Sequence, residues 1–254
     1  MNAPLNFPIA QIDYPDDDGK PMSDNTLQYD WIVTLQSGLA ALFRDTPDVF
    51  VAGNLLWYAV EGNVKRRTAP DVMVAFGRPK GYRGSYKQWR ENGIPPQVVF
   101  EVLSPGNRPR AMAKKLLFYE THGAEEYYIY DPHGVKLTGY TRDNVGAFSP
   151  IPNTNGYTSP RLGVRFDMSG EELVVVRPDG GRFLTNLELE QRKAVAEQRS
   201  AEAEQRSAEA EQRSAEAEQR VAAEKRLTAN LAQNLEHLRA KMLAAGLDPD
   251  ADGP

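Results

Sequence analysis

The chain has 254 residues, 41% of them hydrophobic and 26% charged, which is ordinary for a soluble globular protein, and the lack of cysteine excludes disulfides and thiolate metal sites. No run of about 18 apolar residues is present, and the N-terminus lacks the basic start and apolar stretch of a signal peptide, so we expect a cytoplasmic protein without a membrane span. The net charge of −5 divides into −1 over residues 1–185 (20 basic, 21 acidic) and −4 over residues 186–254 (10 basic, 14 acidic), so any surface that binds nucleic acid must be a local patch.

Residues 1–23 are expected to form an N-terminal tail, and the first predicted helix follows them. Ser23 and Asp24 are both suitable N-cap residues, because a short polar side chain accepts a hydrogen bond from the first helical turn. Apolar residues then recur at four-residue spacing, as expected for one face of a helix, at Leu27, Trp31, Leu35 and Leu39.

A domain of the α/β class is predicted over residues 24–185. Strands are predicted at 48–53, 55–60, 71–76, 97–103 and 125–132, with shorter peripheral ones in KLTGYTR, LGVRFDM and ELVVVRP. The segment 97–103 is nearly all apolar, which is typical of a central strand that is buried on both faces. A helix is predicted from about Pro109 to His122, and Gly123 ends it.

Residues 186–246 are predicted to form one long helix, since up to residue 245 they contain no Pro or Gly and no aromatic side chain except His237. The unit AEQRSAE occurs three times in succession from residue 196, and a fourth copy reads AEQRVAA. A seven-residue period is the signature of a coiled coil. The alternative is a single solvent-exposed helix, because a seam of Ala and Ser buries little area.

The seam of the predicted coiled coil changes character along the helix. It continues without a break from small side chains into larger apolar ones, through Ala203, Ser207, Ala210, Ser214, Ala217, Val221, Glu224, Thr228, Leu231, Leu235, Leu238 and Met242. The leucine-rich end is the stronger candidate for self-association. Gly246 and Pro249 then end the helix, and residues 247–254 are expected to form a C-terminal tail.

Two carboxylates lie in settings that are unusual for acidic residues. Asp71 follows Pro70 and opens an apolar strand, whereas Glu101 interrupts the apolar run VVFEVL. An ionised carboxylate in a buried strand is costly unless it is paired or binds a cation. Both acids are therefore candidate metal ligands; the alternatives are a salt bridge for Glu101 and a turn for Asp71.

A lysine on the predicted helix completes a candidate catalytic set. Lys115 borders the apolar stripe of Met112, Leu116 and Tyr119, so its ammonium group can point back toward the strand that carries Glu101. Two carboxylates can hold a hard cation such as Mg²⁺ or Mn²⁺, and a lysine can orient a water or offset the charge of a phosphate. The set predicts phosphodiester hydrolysis; alternatively Lys115 is an ordinary lysine at the edge of a core helix.

Four segments occur in an order that resembles the Uma-type family of restriction-endonuclease-like proteins, within the PD-(D/E)XK nuclease superfamily. They are APDV at 69–72, SYKQW at 85–89, VVFEVLSP at 98–105 and KKLLFYETHGAEEYYIYDP at 114–132. The resemblance covers about residues 45–140. It implies a mixed β-sheet flanked by helices, with Asp71 and Glu101 as the catalytic, metal-binding acids.

The chain departs from the simplest pattern of that superfamily, which has a lysine two residues after the second acid, where this chain has Leu103. Members of the Uma-type family are similar in this respect. The resemblance implies that the lysine comes from the next helix, where Lys115 matches best and Lys114 is second. Ser104 is expected either to orient Glu101 or to cap that helix.

Further candidates lie outside this set. Glu61 is a candidate ligand or supporting acid, although a hairpin turn at residues 62–63 explains it better. The segment 78–90 interleaves basic and aromatic residues, which suits contact with phosphates and stacking on bases, although a solvated loop pinned by its aromatic side chains is an alternative. Its candidate nucleic-acid-binding residues are Arg78, Lys80, Arg83, Lys87 and Arg90, to which Lys65, Arg66 and Arg67 add upstream.

Together these patterns predict a Mg²⁺- or Mn²⁺-dependent endonuclease that acts on DNA as a homodimer, with the C-terminal coiled coil as one means of holding the protomers together. The alternative is a catalytically inactive nuclease-fold protein that serves as a nucleic-acid-binding or coiled-coil assembly module. The displaced lysine and the acidic charge balance favour that alternative.

Overall fold

A computed structural model describes residues 12–17, 19 and 23–245 of the chain. The predicted C-terminal tail and most of the predicted N-terminal tail lie outside the described residues. The chain divides into two units, one that extends to Leu189 and one that begins at Glu190.

The first unit is a mixed α/β domain, which confirms the predicted fold class. Its helices are α1 (Thr26–Leu42), a 3₁₀ helix (Gln88–Glu91) and α2 (Pro109–His122). Its strands are β1 (Val49–Gly53), β2 (Trp57–Tyr58), β3 (Arg67–Thr68), β4 (Val72–Phe76), β5 (Tyr86–Lys87), β6 (Val98–Val102), β7 (Glu126–Asp131), β8 (Lys136–Arg142), β9 (Phe148–Pro150), β10 (Arg165–Asp167) and β11 (Val174–Val176).

The main sheet has six strands in the order β1-β4-β6-β7-β8-β9. It is mixed, because β6 and β7 run parallel while the other neighbours pair antiparallel. Every residue of β6 is buried, which agrees with the prediction of a central strand covered on both faces.

The two faces of the sheet are covered by different elements. Ile32, Leu35 and Leu39 of α1 pack on Phe100 and its neighbours on one face, together with the hairpin of β10 and β11. Tyr119 of α2 and Trp57 of β2 pack on Val99 on the other face. Because side chains alternate along a strand, Glu101 points to the face that α2 covers.

The first helix begins slightly later than predicted. Asn25, rather than Ser23 or Asp24, is the N-cap, and its side chain accepts a hydrogen bond from the Gln28 amide at 2.8 Å. The buried stripe is also shifted by one residue at its start, because Gln28 is buried and Leu27 is exposed.

The segment predicted as a strand at 55–60 forms only the two-residue strand β2. It belongs to a separate three-stranded sheet in the order β3-β2-β5, whose outer strands the sequence did not predict. Residues of the predicted N-terminal tail contact this region: the rings of Tyr14 and Tyr58 are 5.2 Å apart, and the Ser85 hydroxyl donates to Asp16 at 2.7 Å.

The C-terminal helix α3 spans Asn186–Ala244. Thr185 and Glu188 form a reciprocal capping pair at its start, since the Glu188 amide donates to the Thr185 hydroxyl and the Thr185 amide donates to the Glu188 carboxylate. None of its residues is buried, and all except Glu188 are exposed. Among the described residues, no helix combines the length and apolar character needed to cross a membrane.

Candidate active site

Strand pairing brings Asp71 and Glu101 together at one end of the sheet. In the antiparallel pair of β4 and β6, Val72 lies opposite Phe100, so the next pair in the same register is Asp71 and Glu101. Side chains that are directly opposite in an antiparallel pair project to the same face. The two carboxyl groups accordingly lie within hydrogen-bonding reach of each other.

Asp71 occupies a buried position in which its charge is unfavourable. Its side chain accepts a hydrogen bond from the Val102 amide at 2.7 Å, and the residue is 7% exposed. Burial, followed by the neighbouring charge of Glu101, raises the pKa of Asp71 from 3.8 to about 8, although Lys115 and the Val102 amide lower it. An acid in this setting retains a proton at neutral pH unless a cation stabilises its charge.

Both carboxylate oxygens of Glu101 have partners. Lys115 Nζ lies 2.6 Å from one oxygen, and the Tyr119 hydroxyl donates to the other at 2.5 Å. Burial and the charge of Glu101 raise the pKa of Tyr119 well above its usual value, so this hydroxyl keeps its proton and remains a donor. Glu101 is therefore held in one orientation at the bottom of the site.

The amine beside the two acids comes from helix α2. Leu103 follows β6, and the ammonium group beside Glu101 is supplied by Lys115 of α2, which also approaches the Ala69 carbonyl oxygen at 3.5 Å. Lys114 is exposed and does not line the cleft around the two acids. Of the two lysines considered, Lys115 is thus the one that the fold brings to Asp71 and Glu101.

The three residues line an open cleft of about 540 Å³. Its walls come from the start of α1, the segment before β4, the end of β6 and the first turns of α2. Lys65, Arg67 and Asp24 contribute further charges to the same cleft. Strand ends and helix starts therefore converge here, and the cleft is wide enough to admit a polar ligand.

Ser104 links the segment before α1 to the segment before α2. The Ser104 hydroxyl contacts the Asp24 carboxylate and lies 2.8 Å from the Asn107 side-chain oxygen. Helix α2 has Arg108 as its N-cap, so Ser104 does not cap it. Within the described part of the chain Ser104 makes no hydrogen bond to Glu101, and neither predicted role for this residue is found.

Glu61 lies away from the candidate site. It is exposed in the turn that joins β2 and β3, next to Gly62, which has a φ of +81°. It does not line the cleft. The position corresponds to the hairpin-turn interpretation of this residue.

The predicted nucleic-acid-binding segment 78–90 is not brought to the cleft either. Glu91 forms ion pairs with Arg78 at 3.4 Å and with Arg83 at 2.6 Å. Lys80 donates to two backbone carbonyl groups at the end of α1, and Lys87 lies 5.6 Å from the Tyr14 ring centroid. These contacts give the segment a structural role, and none of its five candidate residues, Arg90 included, lines the cleft.

The donor set suits a hard divalent cation. Asp71 and Glu101 offer carboxylate oxygens, the ligands that Mg²⁺ prefers, and Mg²⁺ is commonly held by one or two carboxylates with water or substrate oxygens in the remaining positions. Burial and the charge of Glu101 raise the pKa of Asp71, so a bound cation would favour the form in which both carboxyl groups are ionised. No cluster of three or more His, Cys, Asp or Glu side chains suited to a metal occurs among the described residues, so an ion held by Asp71 and Glu101 would take its other ligands from water or substrate.

Sequence reasoning missed several residues at the site. Tyr119 was assigned to the core, and Gln28, whose side chain donates to the Val102 carbonyl at 2.8 Å, was not considered. Lys65 and Arg67 were grouped with the distant basic segment, although they lie in the cleft wall. The signal available for Gln28 was its spacing, because it lies four residues before Ile32 and seven before Leu35, on the face that the structure buries.

The chain is similar to known proteins in sequence and in structure. A family model described as "Uma2: Putative restriction endonuclease" matches residues 20–169, more than half of the chain, and confirms the resemblance seen in the motifs. A crystal structure from Anabaena variabilis, titled a "putative nuclease belonging to DUF820", is similar with a TM-score of 0.42 and 16% identity, over 56% of this chain and 74% of that one. No curated protein matches.

Proposed function

Since the chain belongs to the Uma2 family of restriction-endonuclease type, we propose that it is a divalent-metal-dependent endonuclease that hydrolyses phosphodiester bonds in DNA. The observation that carries the proposal is the pairing of Asp71 with Glu101 across β4 and β6, with Lys115 on Glu101. Two buried acids and one amine in an open cleft are the groups that this reaction requires.

Asp71 and Glu101 are the residues that would hold Mg²⁺ or Mn²⁺. A bound ion of this kind polarises a phosphate and lowers the pKa of a water molecule, which generates a nucleophile at neutral pH. Ionisation of Asp71 is coupled to binding, because the protonated carboxyl is a poor ligand.

The other residues of the site position and balance these charges. The Val102 amide fixes one oxygen of Asp71, and the Tyr119 hydroxyl fixes one oxygen of Glu101. The Lys115 ammonium group contacts Glu101 and lines the cleft, where it can offset the charge of a phosphate or orient a water. Its side chain is 27% exposed, so a substrate can approach it from the cleft.

Cleavage of a supercoiled plasmid with Mg²⁺ or Mn²⁺ tests the proposal. We expect the native chain to nick or linearise the plasmid, and Asp71→Asn and Glu101→Gln to lose the activity, because each removes one charged ligand. Glu61→Gln is the matched control, since it removes an acid from an exposed turn outside the cleft. Equal nicking by the native chain and all three variants would eliminate the proposal that these acids catalyse cleavage.

A second candidate is a nuclease-fold protein without turnover. The observation that favours it is that both oxygens of Glu101 already have protein partners, so the ion pair with Lys115 can be purely structural. In the same assay such a protein would cleave nothing with either metal, while binding to a labelled duplex would be equal in the native chain and the two cleft variants.

We also propose that α3 forms a parallel coiled coil with a second copy of itself. The exposed seam provides the apolar surface, with Leu231 at 55% and Leu235 at 62% exposure. Charges at the flanking heptad positions select the direction. Arg192, Arg199, Arg206 and Arg213 share one flanking position, and Glu197, Glu204, Glu211 and Glu218 share the other. In a parallel pair the two positions face each other, whereas in an antiparallel pair Arg would face Arg and Glu would face Glu.

The mass of the full chain in solution tests this association. Light scattering should give twice the 28.3 kDa of one chain, and Leu235→Glu with Leu238→Glu should return it to the monomer, because two charges would be buried in the seam. Replacing Arg199, Arg206 and Arg213 by Glu should also weaken the dimer. A monomeric native chain at high concentration would rule the association out.

A further inference from the structure

A second cleft adjoins the candidate active site. It has a volume of about 480 Å³ and shares Lys65, Arg67, Thr68 and Lys115 with the cleft that holds the two acids. It lies between the segment that leads into β3 and the exposed side of α2. The two clefts therefore form one continuous surface that leads away from Asp71 and Glu101.

The charge of the two clefts differs sharply. The first is balanced, with the acids Asp24, Asp71 and Glu101 against three basic side chains. The second is lined only by basic, hydroxyl and apolar residues in the described part of the chain, and its five basic ones are Lys65, Arg66, Arg67, Lys114 and Lys115. Lys115 is paired with Glu101, and the other four charges, without an acid among them, produce a local positive potential in a chain whose net charge is negative.

The basic residues found only in the second cleft are available to a ligand. Arg66 and Lys114 are exposed, and neither forms an ion pair with any described residue. Burial, followed by the positive charge of Arg66, lowers the pKa of the neighbouring His122. Unlike Arg83, which is paired with Glu91, both side chains can contact a phosphate without breaking an ion pair.

We propose that this second cleft binds the sugar–phosphate backbone of a nucleic acid next to the bond that is cleaved, with Arg66 and Lys114 contacting phosphates. The inference rests on the proposed function for the position of the scissile bond, but the binding itself requires no metal and no turnover. We prefer this cleft to segment 78–90, where Arg78, Lys80 and Arg83 already have partners within the domain.

The lining also indicates what kind of contact is made. Arg and Lys also form the commonest specific contact to a base edge, with guanine, whereas Asn, Gln, Asp and Glu, which read the other bases, do not line the described part of this cleft. Lys, Arg and Thr are suited to phosphate oxygens, which carry no sequence information. Binding in this cleft should therefore be strongly dependent on salt concentration, with at most a preference for guanine among the bases.

Binding of a labelled duplex in EDTA, measured by fluorescence anisotropy at several salt concentrations, tests the inference. The double variant Arg66→Ser with Lys114→Ser should bind on the order of tenfold more weakly, and the slope of log Kobs against log[salt] should fall by about 1.8 for the two lost phosphate contacts. The matched control is Lys136→Ser with Arg226→Ser, which removes two exposed basic residues outside both clefts and should leave the slope unchanged.

The outcomes separate this inference from the nuclease itself. Equal slopes for the native chain and the Arg66/Lys114 variant, or no binding by the native chain at all, would overturn it. Loss of binding in that variant would support it even if no plasmid were ever cut, whereas cleavage with an unchanged slope would support only the enzyme. A DNA duplex and an RNA duplex of the same sequence, compared in parallel, show which backbone the cleft accepts.

Discussion

Replacing Asp71 by Asn should stabilise the protein when no metal is present. A carboxyl that ionises near pH 3.8 in the unfolded chain and near pH 8 in the folded one costs about 1.4 kcal/mol per pH unit between these values, or on the order of 4 kcal/mol at pH 7. Asn avoids this cost, and its side-chain oxygen can still accept the hydrogen bond from the Val102 amide. We expect a gain of about 2 to 4 kcal/mol at pH 7.

The pH dependence of this gain has a definite sign. Because the folded-state pKa is raised, the favourable contribution of protonated Asp71 is complete below pH 3.8 and is lost as the pH rises to about 8. The difference in stability between Asp71→Asn and the native chain should therefore be near zero at the acidic end, grow with pH, and level off above pH 8. Mg²⁺ should narrow the difference at neutral pH, because it binds only the native carboxylate pair.

Urea unfolding followed by tryptophan fluorescence, in EDTA and across this pH range, measures the effect. All three Trp residues lie in the domain, so the signal reports its unfolding. Asp45→Asn is the control, since Asp45 is largely exposed and its replacement should change stability by less than about 0.5 kcal/mol. A native chain that is as stable as Asp71→Asn at pH 7, or a gain that does not shrink on acidification, would refute the electrostatic reasoning.

Three further predictions concern single contacts. Lys115→Met should cost about 2 to 4 kcal/mol at pH 7, because it leaves the Glu101 charge buried, and adding Glu101→Gln should recover part of that loss in urea unfolding; additive losses would contradict this. Tyr119→Phe should cost about 1 to 3 kcal/mol, since one Glu101 oxygen loses its donor, and an unchanged unfolding midpoint would argue against the contact. Thr185→Ala should weaken the start of α3 by about 1 kcal/mol, because the Glu188 amide loses its acceptor, and helical circular dichroism should be lost earlier on heating; an unchanged melting curve would contradict a capping role for Thr185.

Much of the fold was predictable where the local chemistry is decisive. Helix α2 has the predicted bounds, because Pro109 suits the first helical position and Gly123 adopts a φ of +99° just beyond the end. The buried strand β6 was recognisable from its unbroken apolar run, and the acid within it from the cost of burying a charge. These features depend on neighbours in sequence, which pattern reasoning can see.

Features that depend on distant partners could not be predicted in the same way. The register that places Asp71 opposite Glu101 is set by the pairing of β4 with β6, and no spacing rule gives it. Segment 55–60 was read as one strand, yet it pairs over only two residues, because its partners come from two separate segments at 67–68 and 86–87. The ion pairs of Arg78 and Arg83 with Glu91 could not be predicted either, because nothing local in segment 78–90 indicates them.

An anomalous difference map from crystals of this protein soaked in Mn²⁺ tests whether Asp71 and Glu101 bind the same metal ion. We expect one strong peak that lies about 2 Å from a carboxylate oxygen of Asp71 and about 2 Å from one of Glu101, with no such peak in crystals of Asp71→Asn. A peak bound by only one of the two acids, or a fully occupied Mn²⁺ at another position, would contradict it.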